Sequence, residues 1–401
     1  MTNCKPSKAA FTESVYSASM SISSTLAVLL EAERLRAEGV DLVDLGAGEP
    51  DFPTPQNIKH AGQRAIEENF TRYTATGGTA ALKDAIIKMT ARDFGPVYKP
   101  AEVIVTVGGK QGIYNAMASL LNPGDEVIVP SPYWVTFPEI AMFLQAKPVF
   151  VDTASTDFAL TGDALSGAIT PRTRLLILNS PNNPTGKVIP PAEFERIVEL
   201  AVENDIWVIS DECYVHFAYP PARPFSAAAL PAELRARVLV CGSFSKSYAM
   251  TGWRVGYSLG PAEWIQSMLK IQSHTTSNAT SIAQRAAIEA AIGPQDSLRF
   301  MLGEYKRRRD WLVPALNQID GVQCGMPDGA FYAFPNVSGL FRGPVKNSAD
   351  LARRLLDQAN VVVTPGSAFG AEGYIRISYA NSLDALRKGV SRIGELVKQL
   401  G

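Results

Sequence analysis

The chain has 401 residues, 46% of them hydrophobic and 19% charged, a composition that builds a globular protein with more than one core. Lys and Arg total 38 against 39 Asp and Glu, and the resulting formal charge of -1 removes the basic excess that nucleic acid and anionic membranes select for. Cys4, Cys213, Cys241 and Cys324 show no C-x-x-C spacing and read as reduced thiols, while no long apolar run follows Lys5 and Lys8. Residues 26–30 are too short an apolar stretch for a signal core or a membrane span, so the expected location is the cytoplasm.

In chain order, β-branched runs at 103–107, 126–130, 174–179, 206–210 and 238–241 read as buried strands. Amphipathic stretches such as 111–121 and 191–204 read as helices between them. This alternation predicts an α/β fold with a mostly parallel, doubly wound sheet, whose ligands gather at the carboxyl ends of the strands. After Gly293-Pro294 a long helix is expected over 297–319, carrying Lys306-Arg-Arg-Arg309, followed by mixed short elements. The predicted organisation is a large domain over 51–294 and a smaller α+β domain from 1–50 and 295–401.

Four polar motifs follow predicted strands. Gly242-Ser-Phe-Ser-Lys246 places a lysine just beyond a buried strand, with Arg254 eight residues later. Lys246 is either a solvated loop charge or a Schiff-base lysine, whose amine must be neutral to attack a carbonyl. Arg254, with Ser243 and Ser245, can grip a phosphate in fork geometry. In Ser210-Asp-Glu-Cys-Tyr214, Asp211 is either a turn cap or a carboxylate paired with the protonated ring nitrogen of an electron-sink cofactor. Tyr214 and Asn183, the latter in Asn179-Ser-Pro-Asn-Asn-Pro-Thr-Gly186, can donate to a ring oxygen, although turn chemistry alone explains the second motif. Gly108-Gly-Lys-Gln-Gly112 opens a helix whose amides can face a phosphate.

Three further features lead nowhere on sequence grounds. Asp93-Phe-Gly95 copies a kinase tripeptide without its companions. Gly46-Ala-Gly48 lacks the third glycine of a dinucleotide fingerprint. His60, His216 and His274 are too scattered for a zinc site, and no metal is expected.

The ordered set Asn-Asn-Pro-Thr-Gly, Ser-Asp-Glu-x-Tyr, Ser-x-Ser-Lys and Arg resembles the class I aminotransferases of pyridoxal-phosphate fold type I over residues 20–400. The likeness is greatest to the bacterial aspartate aminotransferase branch, some of whose members also accept prephenate. It implies pyridoxal 5'-phosphate as cofactor and ping-pong transamination between an L-amino acid, aspartate first, and 2-oxoglutarate. Alternatives are an aminotransferase preferring aromatic amino acids, prephenate or alanine, and a carbon–sulfur β-lyase of the same fold type.

The same resemblance assigns roles. Lys246 would hold the cofactor and move the substrate's α-proton, Asp211 would hold the ring nitrogen's proton, and Asn183 and Tyr214 would bind its 3-oxygen. The phosphate would lie among the Gly109 and Lys110 amides, Ser243 and Arg254, with Trp134 stacked on the ring. Tyr73 would reach a neighbouring subunit's phosphate, which implies a homodimer with sites at the interface. Arg376 would grip the α-carboxylate, Gly48 would close over it, and Phe331 would pack on the site. Lys110 and Thr25 would receive a distal carboxylate. Two departures stand out: the segment Ser21-Ile-Ser-Ser-Thr25 lacks the Lys-Pro-Ser of some relatives, and Cys213 replaces a larger apolar residue, a change expected to affect packing only.

Overall fold

A computed structural model describes residues 11–21 and 24–400, with the side chains of residues 24–29 outside that description. Its centre is a seven-stranded sheet: β1 (Val103–Thr106), β2 (Glu126–Ser131), β3 (Lys147–Asp152), β4 (Thr173–Asn179), β5 (Trp207–Asp211), β6 (Val238–Ser243) and β7 (Gly256–Leu259). The spatial order is β1-β7-β6-β5-β4-β2-β3. Every pair is parallel except the two that β7 makes, with β1 and with β6.

Helices cover both faces, so the central strands are buried on both sides and carry near-continuous apolar runs. Val103, Ile104 and Val105 are fully buried, as are Leu175, Leu176 and Leu239. Ala80–Phe94 (α1) packs on one face among Val105, Leu176 and Leu178. Gly109–Leu120 (α2) packs on the other with Val127, Ile177 and Leu239.

The β-branched runs therefore marked five strands correctly, within one or two residues at each end. Two strands were not expected, although β3 carries the short run Val149-Phe-Val151. β3 lies at the sheet edge, is half-exposed along its length and contains Pro148, which suits an edge position. β7 begins with Gly256 and has only four residues. The long helix after Gly293-Pro294 runs over Asp296–Leu316 (α3) and accommodates Pro314 in its last turn.

A second core unites Val43 and Leu45 with residues from α3, Ser348–Ala359 (α4) and Leu383–Leu400 (α5). It includes a three-stranded antiparallel sheet of β8 (Tyr332–Ala333), β9 (Thr364–Pro365) and β10 (Ile375–Ser378), in the order β9-β10-β8. Tyr214, Phe217, Tyr219 and Ala249, from turns that follow β5 and β6, plug into this core and join it to the large sheet.

Gly256 shows how tightly the sheet is built beneath the Gly108 turn. A Cβ there would stand 2.5 Å from Gly108 C and Gly109 N, both backbone atoms that cannot move aside alone. Gly256→Ala should destabilise the fold by about 1–3 kcal/mol through overpacking, measured as a lower denaturant midpoint with unchanged slope.

Candidate active site

Strand register assembles the polar motifs. Asn179 pairs with Asp211 and Asp211 with Cys241, so β4, β5 and β6 bring their carboxyl ends to one edge of the sheet. Ser243 sits opposite Gly256, and Thr106, which precedes the Gly108 turn, flanks the same Gly256. These strand ends open into a cavity of about 510 Å³. Gly48, Gly109, Lys110, Trp134, Asn183 and Asp211 line it, as do Tyr214, Ser243, Lys246, Arg254 and Arg376. A smaller cavity of about 230 Å³, near Lys187 and Phe158, contains none of these side chains.

The deep end holds two titratable groups, Asp211 buried and Lys246 part-buried. Asp211 is 5% exposed and its Oδ1 accepts one hydrogen bond, from the Cys213 N–H at 3.1 Å. Burial raises its carboxyl to about 7, although the Cys213 amide and the Lys246 charge pull the other way. Lys246 lies in a one-turn helix, Phe244–Ser247, whose N-cap Ser243 accepts from the Ser245 amide at 3.1 Å. Its Nζ donates to the Gly48 carbonyl and is 6.0 Å from the Tyr214 and Phe331 ring centres. Burial lowers the Lys246 ammonium and so favours the neutral amine.

Arg376 forms the next side. It is 2% exposed, in β10, with Nη1 donating to Asn183 Oδ1 at 2.9 Å and Nη2 to the Gly46 carbonyl at 2.7 Å. Its Nε is buried with no hydrogen-bond partner among the described residues. The guanidinium stacks over Tyr332, 4.5 Å from the ring centre, and the Tyr332 and Tyr214 hydroxyls are 2.6 Å apart. Burial drives the Tyr214 phenol well up, so both hydroxyls stay protonated at neutral pH.

The opposite end is a cradle for an anion. α2 begins at Gly109, where first-turn amides lack intrahelical partners and the helix dipole favours negative charge. Gly108 has φ +77°, and a Cβ there would stand 2.6 Å from Arg254 Nη2. Arg254 itself has φ +53° and donates from Nη1 to the Thr251 carbonyl at 3.0 Å, which aims the fork toward the helix start. Ser243 Oγ completes this end, although in the structure it donates to Ser245 Oγ at 2.9 Å. Lys110, at the exposed rim, stands 5.0 Å over the Trp134 ring, and crowding first, then the charge of Arg254, lowers its ammonium.

Two expected site residues do not line this cavity, and a third has its side chain outside the described residues. Phe331 is fully buried one row behind, against Tyr214 at 5.3 Å, and the neighbouring Tyr332 lines the cavity instead. Phe331 precedes β8 and Tyr332 opens it, and their rings, 4.9 Å apart, both stand against Tyr214. Tyr73 is 91% exposed and touches no part of its own subunit's site. Thr25 falls in the helix Ser24–Ala37, with its side chain outside the described residues. Glu49, Thr251 and Cys213 line the cavity without having been singled out for it. Cys213 faces the site, and its backbone amide, which any residue at that position would supply, serves Asp211. Among the described residues no group of three or more His, Cys, Asp or Glu is placed to hold a metal, and no helix is long and apolar enough to cross a membrane.

A part-buried lysine amine, a buried acid and a buried arginine around one cavity, on a mostly parallel sheet, define an enzyme of the aminotransferase fold. The family described as aminotransferase class I and II matches residues 40–393, and the chain belongs to it. It is 44% identical over 378 residues to an aspartate aminotransferase of Bacillus sp. (strain YM-2), covering 94% of this chain and 96% of that one. It is also 44% identical over 384 residues to an aspartate/prephenate aminotransferase of Nitrosomonas europaea, covering 94% and 97%. Among solved structures, the aspartate aminotransferase of Rhizobium meliloti superposes with a TM-score of 0.92 at 40% identity, over 97% of this chain and 99% of that one. That of Thermus thermophilus, solved with maleate, gives 0.92 at 39%, over 96% and 100%.

The raised Asp211 carboxyl has a stability consequence. Unfolded, it ionises near the ordinary aspartate value; folded, only near 7, so its contribution to stability falls as pH rises between those limits. Asp211→Asn should therefore stabilise ligand-free protein at pH 8 by up to about 4 kcal/mol and have little effect near pH 4. Thermal melts of both proteins at the two pH values check this.

Proposed function

We propose that the protein transfers the amino group between L-aspartate and 2-oxoglutarate by a ping-pong mechanism, with pyridoxal 5'-phosphate bound in the 510 Å³ cavity. The observation that carries this reading is the convergence of Lys246, Asp211 and Arg376 at one end and an anion cradle at the other. The residues suit that cofactor. A cationic pyridine N–H would stabilise the ionised form of the buried Asp211, and Gly108 leaves room for the Arg254 fork beside the α2 amides. The buried, unpartnered Arg376 Nε suits a substrate carboxylate. Bound pyridoxal phosphate supplies an aldehyde that bonds amines and a protonated ring that withdraws electrons from the substrate's α-carbon.

The chain's own groups do the rest. Asp211 keeps the proton on the ring nitrogen, while Asn183 and Tyr214 orient the ring through its 3-oxygen and Trp134 covers its face. Arg376 and the Gly48 backbone hold the α-carboxylate so that the α-hydrogen faces Lys246. The Lys246 amine, neutral through burial, removes that proton as general base. Lys110 and Thr25 receive the distal carboxylate, a role supported by the relatives named aspartate aminotransferase. Prephenate as a second acceptor is supported by the name of the Nitrosomonas relative.

The exposed Tyr73 suits a phosphate in a neighbouring subunit, and we assign a homodimer with sites at the interface. The two cores support a division into a large domain, 51–294, and a small one, 1–50 with 295–401. A cytoplasmic location accords with the free thiols Cys213, Cys241 and Cys324.

The first test is an absorbance scan of protein loaded with pyridoxal phosphate, before and after L-aspartate alone. Loss of the yellow band with oxaloacetate equal to the sites supports the reading. Bleaching with phenylalanine or alanine but not aspartate would overturn the role of Lys110, and inability to take up the cofactor would overturn the whole. Lys246→Ala should lower kcat by at least about 10⁴-fold while the cofactor still binds weakly. Arg376→Lys, which cannot reproduce a bidentate grip, should raise KM for both substrates by roughly 10²-fold, read by steady-state kinetics.

A further inference from the structure

Two features without a role in the sequence meet in space. His216 lies two residues beyond Tyr214, and its Nδ1 is 3.0 Å from the Oγ of Ser247, the residue after Lys246. Its Nε2 is 3.2 Å from Asp93 Oδ2, at the end of α1. The Ser–His–Asp order suggests a hydrolytic triad, but Ser247 is 1% exposed and no described cavity reaches it. The arrangement therefore cannot present a nucleophile to a substrate. What it does is join the turn that carries Asp211 and Tyr214 to the turn that carries Lys246.

The geometry points to His216 as a positioning residue that, through Ser247, fixes the orientation of the Lys246 turn relative to Asp211 and Tyr214. This rests on the transaminase reading of Lys246. The groups facing the imidazole are few: Asp93 and Arg92 from α1, Ser247 and Tyr248 from the lysine turn, and the Phe94 ring at 6.1 Å. Arg92 holds Asp93 in a fork, Nε to Oδ1 at 2.7 Å and Nη2 to Oδ2 at 2.9 Å. Burial works against the Asp93 charge, but the His216 and Arg92 bonds hold its carboxyl down at about 2. An anion only accepts, so Nε2 carries a proton, and a neutral ring then accepts at Nδ1 from the Ser247 hydroxyl. The side chains of His216 and Asp93 are 12% and 19% exposed, which shields the pair from water's competition.

A reacting lysine tolerates little misplacement, because proton transfer requires close, aligned approach. The test uses the full-length protein loaded with pyridoxal phosphate and three substitutions. Asn places an amide group near the Nδ1 position and keeps the Ser247 contact; Gln reaches toward Asp93 and loses it. His216→Gln and Ser247→Ala should each lower kcat about tenfold with KM unchanged, and raise the isotope effect of α-deuterated aspartate. Both should also move the pH midpoint of the bound cofactor's visible band by about half a unit, whereas His216→Asn should leave all three readouts near the parent's. Ser247→Ala with parental kcat and midpoint overturns the proposal. So does an equal loss in the Asn and Gln variants that follows only their melting temperatures. Should the parent turn over no amino acid, the transaminase reading fails, and the midpoint shifts alone decide the positioning role in the same way.

Discussion

The site depends on one constraint, the register of β4, β5 and β6. A parallel ladder fixes which residues stand side by side, and here it sets Asn179, Asp211 and Cys241 in a row at the carboxyl edge. β4 and β5 end at this row and β6 runs two residues further, to Ser243, so the turns that follow all leave the sheet at the same edge. Side-chain alternation completes the sorting. Asp211 faces the cavity, while the next residue, Glu212, turns away to bond Ser210 Oγ and the Ala227 amide. A slip of one residue in β5 would exchange those two acids and leave the cavity without its carboxylate.

The second sheet meets this edge from the other side. Arg376 in β10 crosses the gap to Asn183, and the Gly46–Gly48 backbone is held between Arg376 and Lys246. Residues from the chain's beginning, middle and end thus share one hydrogen-bonded network. That network explains why the two cores meet through Tyr214 and Ala249: both belong to turns that also carry site residues.

How far this was legible in the sequence follows from the physics of each part. Strands buried on both faces need β-branched runs, so β1, β2, β4, β5 and β6 declared themselves, and the polar motifs after them marked the sheet's working edge. The edge strand β3 offers only the short run Val149-Phe-Val151 after a proline and β7 begins with glycine, so neither stood out, although β7 supplies the two antiparallel pairs that set Ser243 against Gly256. Tyr332 was not singled out beside Phe331, because a two-residue strand is too short a pattern to show which of two adjacent aromatics lines a cavity. Asp93 and His216 are 123 positions apart, and no local pattern relates them. Their partnership exists only because α1 packs against the turns beyond β5 and β6.

The backbone around the cavity departs from its easy conformations in a consistent way. Ala249, Arg254 and Ala330 have φ of +50°, +53° and +55°, a region that residues with a Cβ enter at a cost of about 1–3 kcal/mol each. Each sits where a regular element would carry its neighbour away from the site. Arg254 turns its fork toward α2, Ala249 ends the lysine turn so that its carbonyl accepts from Thr54, and Ala330 precedes the Phe331–Tyr332 pair. Together with the disfavoured charges of Asp211 and Lys246, these positions concentrate instability at the strand ends, while the central strands beneath them are buried and largely apolar. A ligand that brings a cation to Asp211 and an anion to the α2 amides relieves the electrostatic part of that instability, so binding energy and preorganisation come from the same buried groups.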